Sequence, residues 1–251
     1  MHFHYGFSAA QILWTLTFAA VLVLLVVLFG RERVARRFPW FTASIILLGL
    51  RLLVNRLLSN RLAPVPWNSI YLSLADLSAI FDLLVLVEVA RRAFKGASRR
   101  SWRLVTAVVV AVGAAVAIVW GPWPDWKTLT AGTATANLRL MQMAAQKGDL
   151  LAAVIAVELG LLVVWLGWRF NAGWRTHTQC IAIGLSTAAL SLMTTFGIRQ
   201  AIGVHAVVHS RAEFNRLMDL QGRILNANNA VYVAVLVWWI VCLWMDEKSR
   251  E

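Results

Sequence analysis

Long apolar stretches alternate with short polar segments along the 251-residue chain. Each stretch approaches the roughly 20 residues that a helix needs to cross about 30 Å of hydrocarbon at 1.5 Å per residue. Lipid offers backbone amides no hydrogen-bond partner, so such a chain must fold as a helical bundle. The pattern predicts an all-α membrane protein, a single seven-helix transmembrane domain over residues 1–251. The predicted spans are 9–29, 39–58, 69–90, 103–120, 149–168, 178–201 and 228–245.

Composition and charge agree with a membrane location. Hydrophobic residues make up 60% of the chain and charged residues only 14%, far from the usual soluble mixture. A net charge of +12 would suggest nucleic acid as the partner of a soluble protein. Here the Lys and Arg residues concentrate in short loops beside the spans. The predicted partner is therefore the lipid bilayer and not nucleic acid.

The distribution of the basic residues predicts how the bundle is oriented. The segments 31–37, 91–103 and 169–177 hold four, six and two Lys/Arg, whereas the N-terminal MHFHYGFS has none and the loop 59–68 has only Arg61. Short cytoplasmic loops carry the excess of positive charge, which puts the N-terminus outside and the C-terminus in the cytoplasm. The first stretch follows no basic residue, so it reads as a true span and not as a signal peptide. We expect a multi-pass protein of a bacterial-type inner membrane.

Two longer segments lie on the predicted outer side. Residues 134–148 of the segment 121–148 are good helix formers and are expected to extend the fifth span outward. Residues 203–227 place apolar side chains at helical spacing among charges, which predicts an amphipathic helix on the membrane surface or packed on the bundle. The expected result is a set of short helices that caps the outer face.

An arginine and an aspartate in adjacent spans are predicted to form a buried charge pair. Arg51 lies eight residues inward from the outer end of span two near Ser59, and Asp76 lies nine inward from Trp67 at the start of span three. Both are then about 12 Å below the outer boundary. Contact would offset much of the cost of removing each charge from water. The pair is interpreted as a structural contact that fixes hairpin register, or alternatively as a ligand-responsive or proton-linked switch.

Two other acidic residues lie deep in predicted spans. Asp82 has Ser44 as the one polar residue of span two at its depth, and Glu158 lies about ten residues into span five. Such a carboxyl group is either protonated or in contact with a water-filled cavity. Asp82 and Glu158 are therefore the candidates for proton or cation handling, and the alternative is two neutral side chains hydrogen-bonded to neighbouring helices. Glu88, close to Arg91 and Arg92, is interpreted as an interface charge.

Span six and its outer end supply two further candidate groups. A polar stripe recurs at helical spacing, and its members either pack helices together or line a cavity; they are Thr187, Ser191, Thr194 and Thr195. His205 and His209 share one helix face and, with His2 and His4, could bind zinc or copper; ordinary interfacial histidines are the alternative. We predict no cofactor.

The functional expectation follows from what the spans contain. The sequence has no HExxH, GxSxG, P-loop or CxxC motif, so we do not expect an enzyme. The first hypothesis is a non-enzymatic, sensor-like or assembly subunit that acts with a partner, docked on the basic loop 91–103. The alternative is a small proton- or cation-linked transporter that uses Asp82 and Glu158. A continuous wet path past both residues would favour transport, and a closed outer pocket would favour sensing.

Overall fold

The computed structural model describes residues 8–59, 61–95, 99–120, 123, 133–166, 176–205 and 210–245. These residues form helices, with no strand among them. The helices are α1 Ala9–Gly30, α2 Glu32–Arg37, α3 Pro39–Leu58, α4 Pro64–Ala93, α5 Arg99–Val119, α6 Ala134–Leu166, α7 His177–His205 and α8 Arg211–Trp244.

The residues at helix starts explain where several helices begin. Ser8 and Gln11 form a reciprocal capping box at the start of α1, which satisfies two amides that would otherwise lack partners. Pro39 and Pro64 stand in the first turns of α3 and α4, where a missing N–H costs nothing. At α8 the Ser210 hydroxyl accepts from the Glu213 amide at 3.2 Å. The serine caps and the prolines between the apolar stretches thus set where these helices begin.

Six of the helices close into a ring. α1 packs on α3, α3 on α4, α4 on α6, α6 on α7 and α7 on α8. α8 in turn packs on α1, which closes the ring. α4 and α7 also touch across the ring, while α5 packs against α6. We call the end that holds Ala9, Leu58 and Pro64 the outer end, following the predicted orientation, and the opposite end the inner end. The bundle is therefore a six-helix ring with α5 against α6.

The tightest packing lies toward the inner end. Phe41 of α3 and Trp239 of α8 meet edge to face, with ring centroids 5.0 Å apart. The large side chains of the described residues that are almost fully buried all lie between mid-bundle and the inner end. They are Trp239, Phe38, Phe41, Leu24, Leu28, Ile181, Leu236, Leu243, Val21, Val85, Val89 and Val163.

Two glycines let neighbouring helices approach closely. A Cβ on Gly160 of α6 would overlap Ser186 of α7, and a Cβ on Gly184 of α7 would overlap the Trp239 indole. Ser186 Oγ donates to the Ala156 carbonyl of α6 at 2.6 Å, across the same close approach. Small residues at helix contacts are the usual means of packing in lipid, because there the hydrophobic effect does not drive helices together.

Six helices are long and apolar enough to cross a membrane: α1, α3, α4, α6, α7 and α8. This gives the chain the build of a multi-pass membrane protein. The predicted span 103–120 lies in α5, whose apolar part, Val105–Val119, is shorter than the other six. The predicted fifth span extends outward as expected, because α6 already begins at Ala134.

The predicted outer cap requires a correction. Residues 211–227 do not form a separate short helix, since α8 runs without a break from Arg211 to Trp244. Good helix formers continue through this stretch, and Gly222 alone costs only about 1 kcal/mol. Phe214, Met218 and Leu220 are exposed, so this extension does not bury its apolar side chains on the described bundle. The segments 121–122, 124–132 and 206–209 lie outside the described residues.

Candidate functional site

A polar cavity of about 380 Å³ lies between α3, α4 and α6 in the outer half of the bundle. Polar side chains from all three helices line it, together with Leu72, Ala75, Leu138 and Ala145. The polar lining residues are Arg51, Asn68, Tyr71, Arg139, Gln142, Gln146 and Asp149. The 33 residues of α6 span about 50 Å, more than the hydrocarbon core. Arg139, in the outer turns of α6, is exposed at one end of the cavity.

Arg51 does not make the contact that the sequence predicts. Its Nη2 donates to the Tyr71 hydroxyl at 3.2 Å, and its guanidinium carbon lies 5.1 Å from the Tyr71 ring centroid. Among the described residues no ion pair joins Arg51 to Asp76, and Asp76 Oδ1 is buried without a hydrogen-bond partner. Tyr71 precedes Asp76 by five residues on α4, about 7.5 Å nearer the outer end. The guanidinium thus reaches outward into the cavity.

Asp149 is the site residue that the sequence analysis missed. The predicted span five begins at Asp149, and a charge at the boundary of a span needs no explanation. Because α6 starts at Ala134, Asp149 lies well inside the helix and lines the cavity beside Arg51. Asp149 and Asp82 both lie near the Arg51 guanidinium, and Asp149 also lies near Asp76 and Asp82. We call Arg51, Asp76, Asp82 and Asp149 the charge cluster.

Asp82 is on the inner side of Asp76 along α4 and is held by a hydrogen bond from α3. Ser44 Oγ of α3 donates to Asp82 Oδ1 of α4 at 3.0 Å. Ser44 is the polar residue of α3 at the depth of Asp82, and this hydrogen bond gives Asp82 a partner that the sequence does not predict. The charge cluster therefore contains three carboxyl groups and one guanidinium, and Arg51 lies near two of those carboxyl groups, Asp82 and Asp149.

Glu158 belongs to a different cavity. A space of about 500 Å³ lies between α6 and α7, and its lining is almost entirely apolar. The residues around it are Trp120, Val154, Val157, Glu158, Leu190, Met193, Thr194, Gly197 and Ile198. Glu158 Oε2 is buried there with no hydrogen-bond partner. None of these residues lines the polar cavity, and Asp82 lines neither space, so no single cavity joins Asp82 and Glu158.

The polar stripe of α7 divides among different neighbours. Thr187 Oγ1 donates to the Ile183 carbonyl of its own helix at 2.8 Å. Ser191 Oγ donates to Asn228 Oδ1 of α8 at 2.8 Å, while Thr194 lines the cavity that holds Glu158. Thr195 is buried. These side chains therefore serve mainly helix contacts and do not line one continuous path.

Glu88 has a structural role that the sequence did not reveal. Its Oε2 accepts from the Phe41 amide in the first turn of α3 at 3.1 Å, and Arg92 lies 3.7 Å from its other oxygen. Phe38, the N-cap residue of α3, makes no side-chain cap hydrogen bond. Glu88 of α4 supplies that cap, and its negative charge also complements the positive end of the α3 dipole. It is a buried cap and not an interface charge.

The predicted metal site and docking loop are only partly described. His205 is the last residue of α7, and its side chain, like all of His2, His4 and His209, lies outside the described residues. Among the residues that are described, no group of three His, Cys, Asp or Glu could hold a metal ion. In the basic loop 91–103, residues 96–98 also lie outside the described part.

Comparisons with known proteins found no matching family model, no matching curated protein and no matching solved structure. The polar cavity, the cavity that holds Glu158 and the charge cluster bear on function.

Proposed function

We propose that the chain is a non-enzymatic membrane subunit that binds a small charged molecule from the outer side and acts through a partner protein. One observation carries the proposal: a polar cavity of ligand size extends from the outer turns of α6 to the charge cluster. Ligand sites are typically concave, about 300–1,000 Å³ in volume, with a few convergent polar groups. The cavity has both properties.

The charges around the cavity suggest the kind of molecule that it binds. Asp149 lines the cavity with Arg51, and Asp76 and Asp82 add two more carboxyl groups near Asp149, so a cationic group on the ligand would balance the charge cluster. Arg139 lies ten residues before Asp149 on α6, about 15 Å nearer the mouth, and suits an anionic group. Asn68, Gln142 and Gln146 offer hydrogen bonds between these two charges. The proposed ligand is a small zwitterion or an organic cation.

The tightly packed side chains on the inner side of the charge cluster favour a sensor over a transporter. Below the charge cluster the described bundle is occupied by almost fully buried side chains, among them Phe41, Trp239 and Leu236. A molecule bound above them changes the packing of α3, α4 and α6 without a described route onward. The basic loop 91–103 at the inner end remains the proposed docking site for a partner, which would receive that change.

The alternative is a proton- or cation-linked transporter that uses Asp82 and Glu158. The charge cluster around Asp82 favours it, because intramembrane carboxyl groups mark many ion pathways. Glu158 supports it less, since that residue lines a separate cavity.

A paired binding and flux experiment tests the proposal. The protein in lipid nanodiscs is heated in the presence of a panel of amino acids and organic amines, and a ligand is recognised by a rise in Tm. The rise should disappear in Asp149→Asn and persist in Asp219→Asn, whose side chain is exposed on α8. In proteoliposomes the same ligand should drive no proton or ligand flux. Flux that Asp82→Asn abolishes would favour transport instead.

The membrane topology is part of the proposal. We propose seven spans, with α5 as the fourth, an outer N-terminus and a cytoplasmic C-terminus in a bacterial-type inner membrane. The basic loops support this orientation. A reporter fused after Glu251 should be active only in the cytoplasm, and one placed before Met1 only outside. Activity of the C-terminal reporter on the outer side would remove one span or invert the orientation.

A further inference from the structure

We propose that the cavity between α6 and α7 is a second binding site, which takes an amphiphilic amine dissolved in the bilayer. The site is independent of the polar cavity, because the two have no lining residue in common. Its volume of about 500 Å³ accommodates a small molecule. Its lining is apolar apart from Glu158, Thr194 and the indole of Trp120.

The carboxyl group of Glu158 defines the polar end of the ligand. Its Oε2 is buried and has no hydrogen-bond partner among the described residues. Glu158 lies eight residues before the end of α6 at Leu166, about 12 Å from the inner end. An acceptor at this depth is costly unless a donor reaches it. An ammonium group supplies both the donor and the opposite charge.

The rest of the cavity defines the apolar end. Leu190, Met193 and Ile198 of α7 and Val154 and Val157 of α6 form its walls. An alkyl chain matches this lining, and the flexible Met193 side chain adapts to its shape.

Trp120 sets the outer limit of the cavity and is fixed there from two sides. Its Nε1 donates to Gln200 Oε1 at 3.0 Å, and its backbone carbonyl accepts from Lys147 Nζ. The indole nitrogen is thus already bonded, which leaves the ring face for apolar contact. The arrangement supports entry of the ligand from the lipid between α6 and α7, with its amine toward Glu158.

Binding of octylamine tests this site directly. The protein is placed in nanodiscs made only of zwitterionic lipid, so that the bilayer surface does not itself attract the amine. Radiolabelled octylamine should bind saturably above the level of empty nanodiscs. Glu158→Gln should weaken binding about 10- to 100-fold, as expected for the loss of a hydrogen-bonded charge pair. The exposed Asp219→Asn is the matched charge control and should bind like the wild type.

Two further measurements separate the site from general partitioning. 1-Octanol, which has the same chain without the cation, should not distinguish wild type from Glu158→Gln. Gly197→Val should block octylamine without removing the carboxyl group: a Cβ there has ordinary contact with Trp120, and the larger side chain fills the cavity. Equal binding by the wild type and Glu158→Gln, or no saturable binding by the wild type, would overturn the proposal. Neither result would affect the polar cavity.

Discussion

The inner and outer halves of the bundle are built on different principles. At the inner end Phe38, Phe41 and Trp239 are almost fully buried, and Glu88 caps α3 from the neighbouring helix. At the outer end three helices of the same ring leave between them a polar cavity lined by Arg51 and Asp149. The core around Phe41 and Trp239 is closed by tight apolar packing, whereas the space between α3, α4 and α6 keeps charged groups around an opening.

This difference indicates why the polar cavity lies in the outer half. Interiors packed to the density of organic crystals leave no room for a ligand, and their sequence is constrained by shape. Charges inside a membrane are costly, so they persist where they are paired, hydrated or used. The inner half therefore fixes the positions of the helices, and the outer half uses that frame to hold the charge cluster.

Removing Trp239 should give the largest effect and would test the packing of the inner half. Trp239→Ala is expected to lower the free energy of unfolding by about 3–5 kcal/mol, because the side chain is 2% exposed and its loss leaves a cavity beside Phe41. Reversible unfolding in mixed micelles measures the change. Trp14→Ala, at a half-buried position in the outer half of α1, should cost clearly less. Equal losses would mean that the halves do not differ in packing.

Removing the cap on α3 should give the next largest effect. Glu88→Ala leaves the Phe41 amide unpaired in a buried place and should cost about 1–3 kcal/mol in the same assay. Glu88→Gln keeps an acceptor oxygen and should recover part of that loss. Asp219→Ala, at an exposed position of α8, should change stability by less than about 0.5 kcal/mol. A Glu88→Ala variant as stable as Asp219→Ala would contradict the capping role.

The comparison also shows what the sequence could predict. Hydrophobic length was enough to find the helices, because lipid forces each apolar stretch to satisfy its own backbone. Depth along the α3–α4 hairpin puts Ser44 level with Asp82, to which it donates, but the same depth argument does not give the partner of Arg51, which bonds to Tyr71. These predictions depend on distance along one helix or across one hairpin.

The remaining features depend on contacts between helices distant in sequence. The position of Asp149 beside Arg51 requires α6 to pack on α4, which no span boundary reveals. The separation of Asp82 from Glu158 depends on the order of helices around the ring, since α6 presents Glu158 toward α7. The capping of α3 by Glu88 joins residues 47 positions apart. Depth alone does not specify the direction in which a side chain points.

A double-mutant cycle in the outer half tests which carboxyl group interacts with Arg51. Arg51→Gln combined with Asp149→Asn should show a coupling of about 1 kcal/mol, as expected for neighbouring charges. The cycle of Arg51→Gln with Asp76→Asn should be close to additive, because no ion pair joins those two residues in the described structure. Stronger coupling to Asp76 than to Asp149 would restore the pair that the sequence predicts.

The smallest expected effect concerns the hydrogen bond between α7 and α8 in the outer half. Ser191 Oγ donates to Asn228 Oδ1 at 2.8 Å, and Ser191→Ala removes that interhelical bond. Such bonds in membrane bundles contribute on average only about 0.6 kcal/mol, since the separated helices find other partners. Thr187→Val is the matched control, because the Thr187 hydroxyl bonds within its own helix. We expect a loss of about 0.6 kcal/mol for Ser191→Ala and a smaller one for the control. A loss for Ser191→Ala as large as that for Trp239→Ala would show that polar contacts stabilise the outer half as strongly as packing stabilises the inner half.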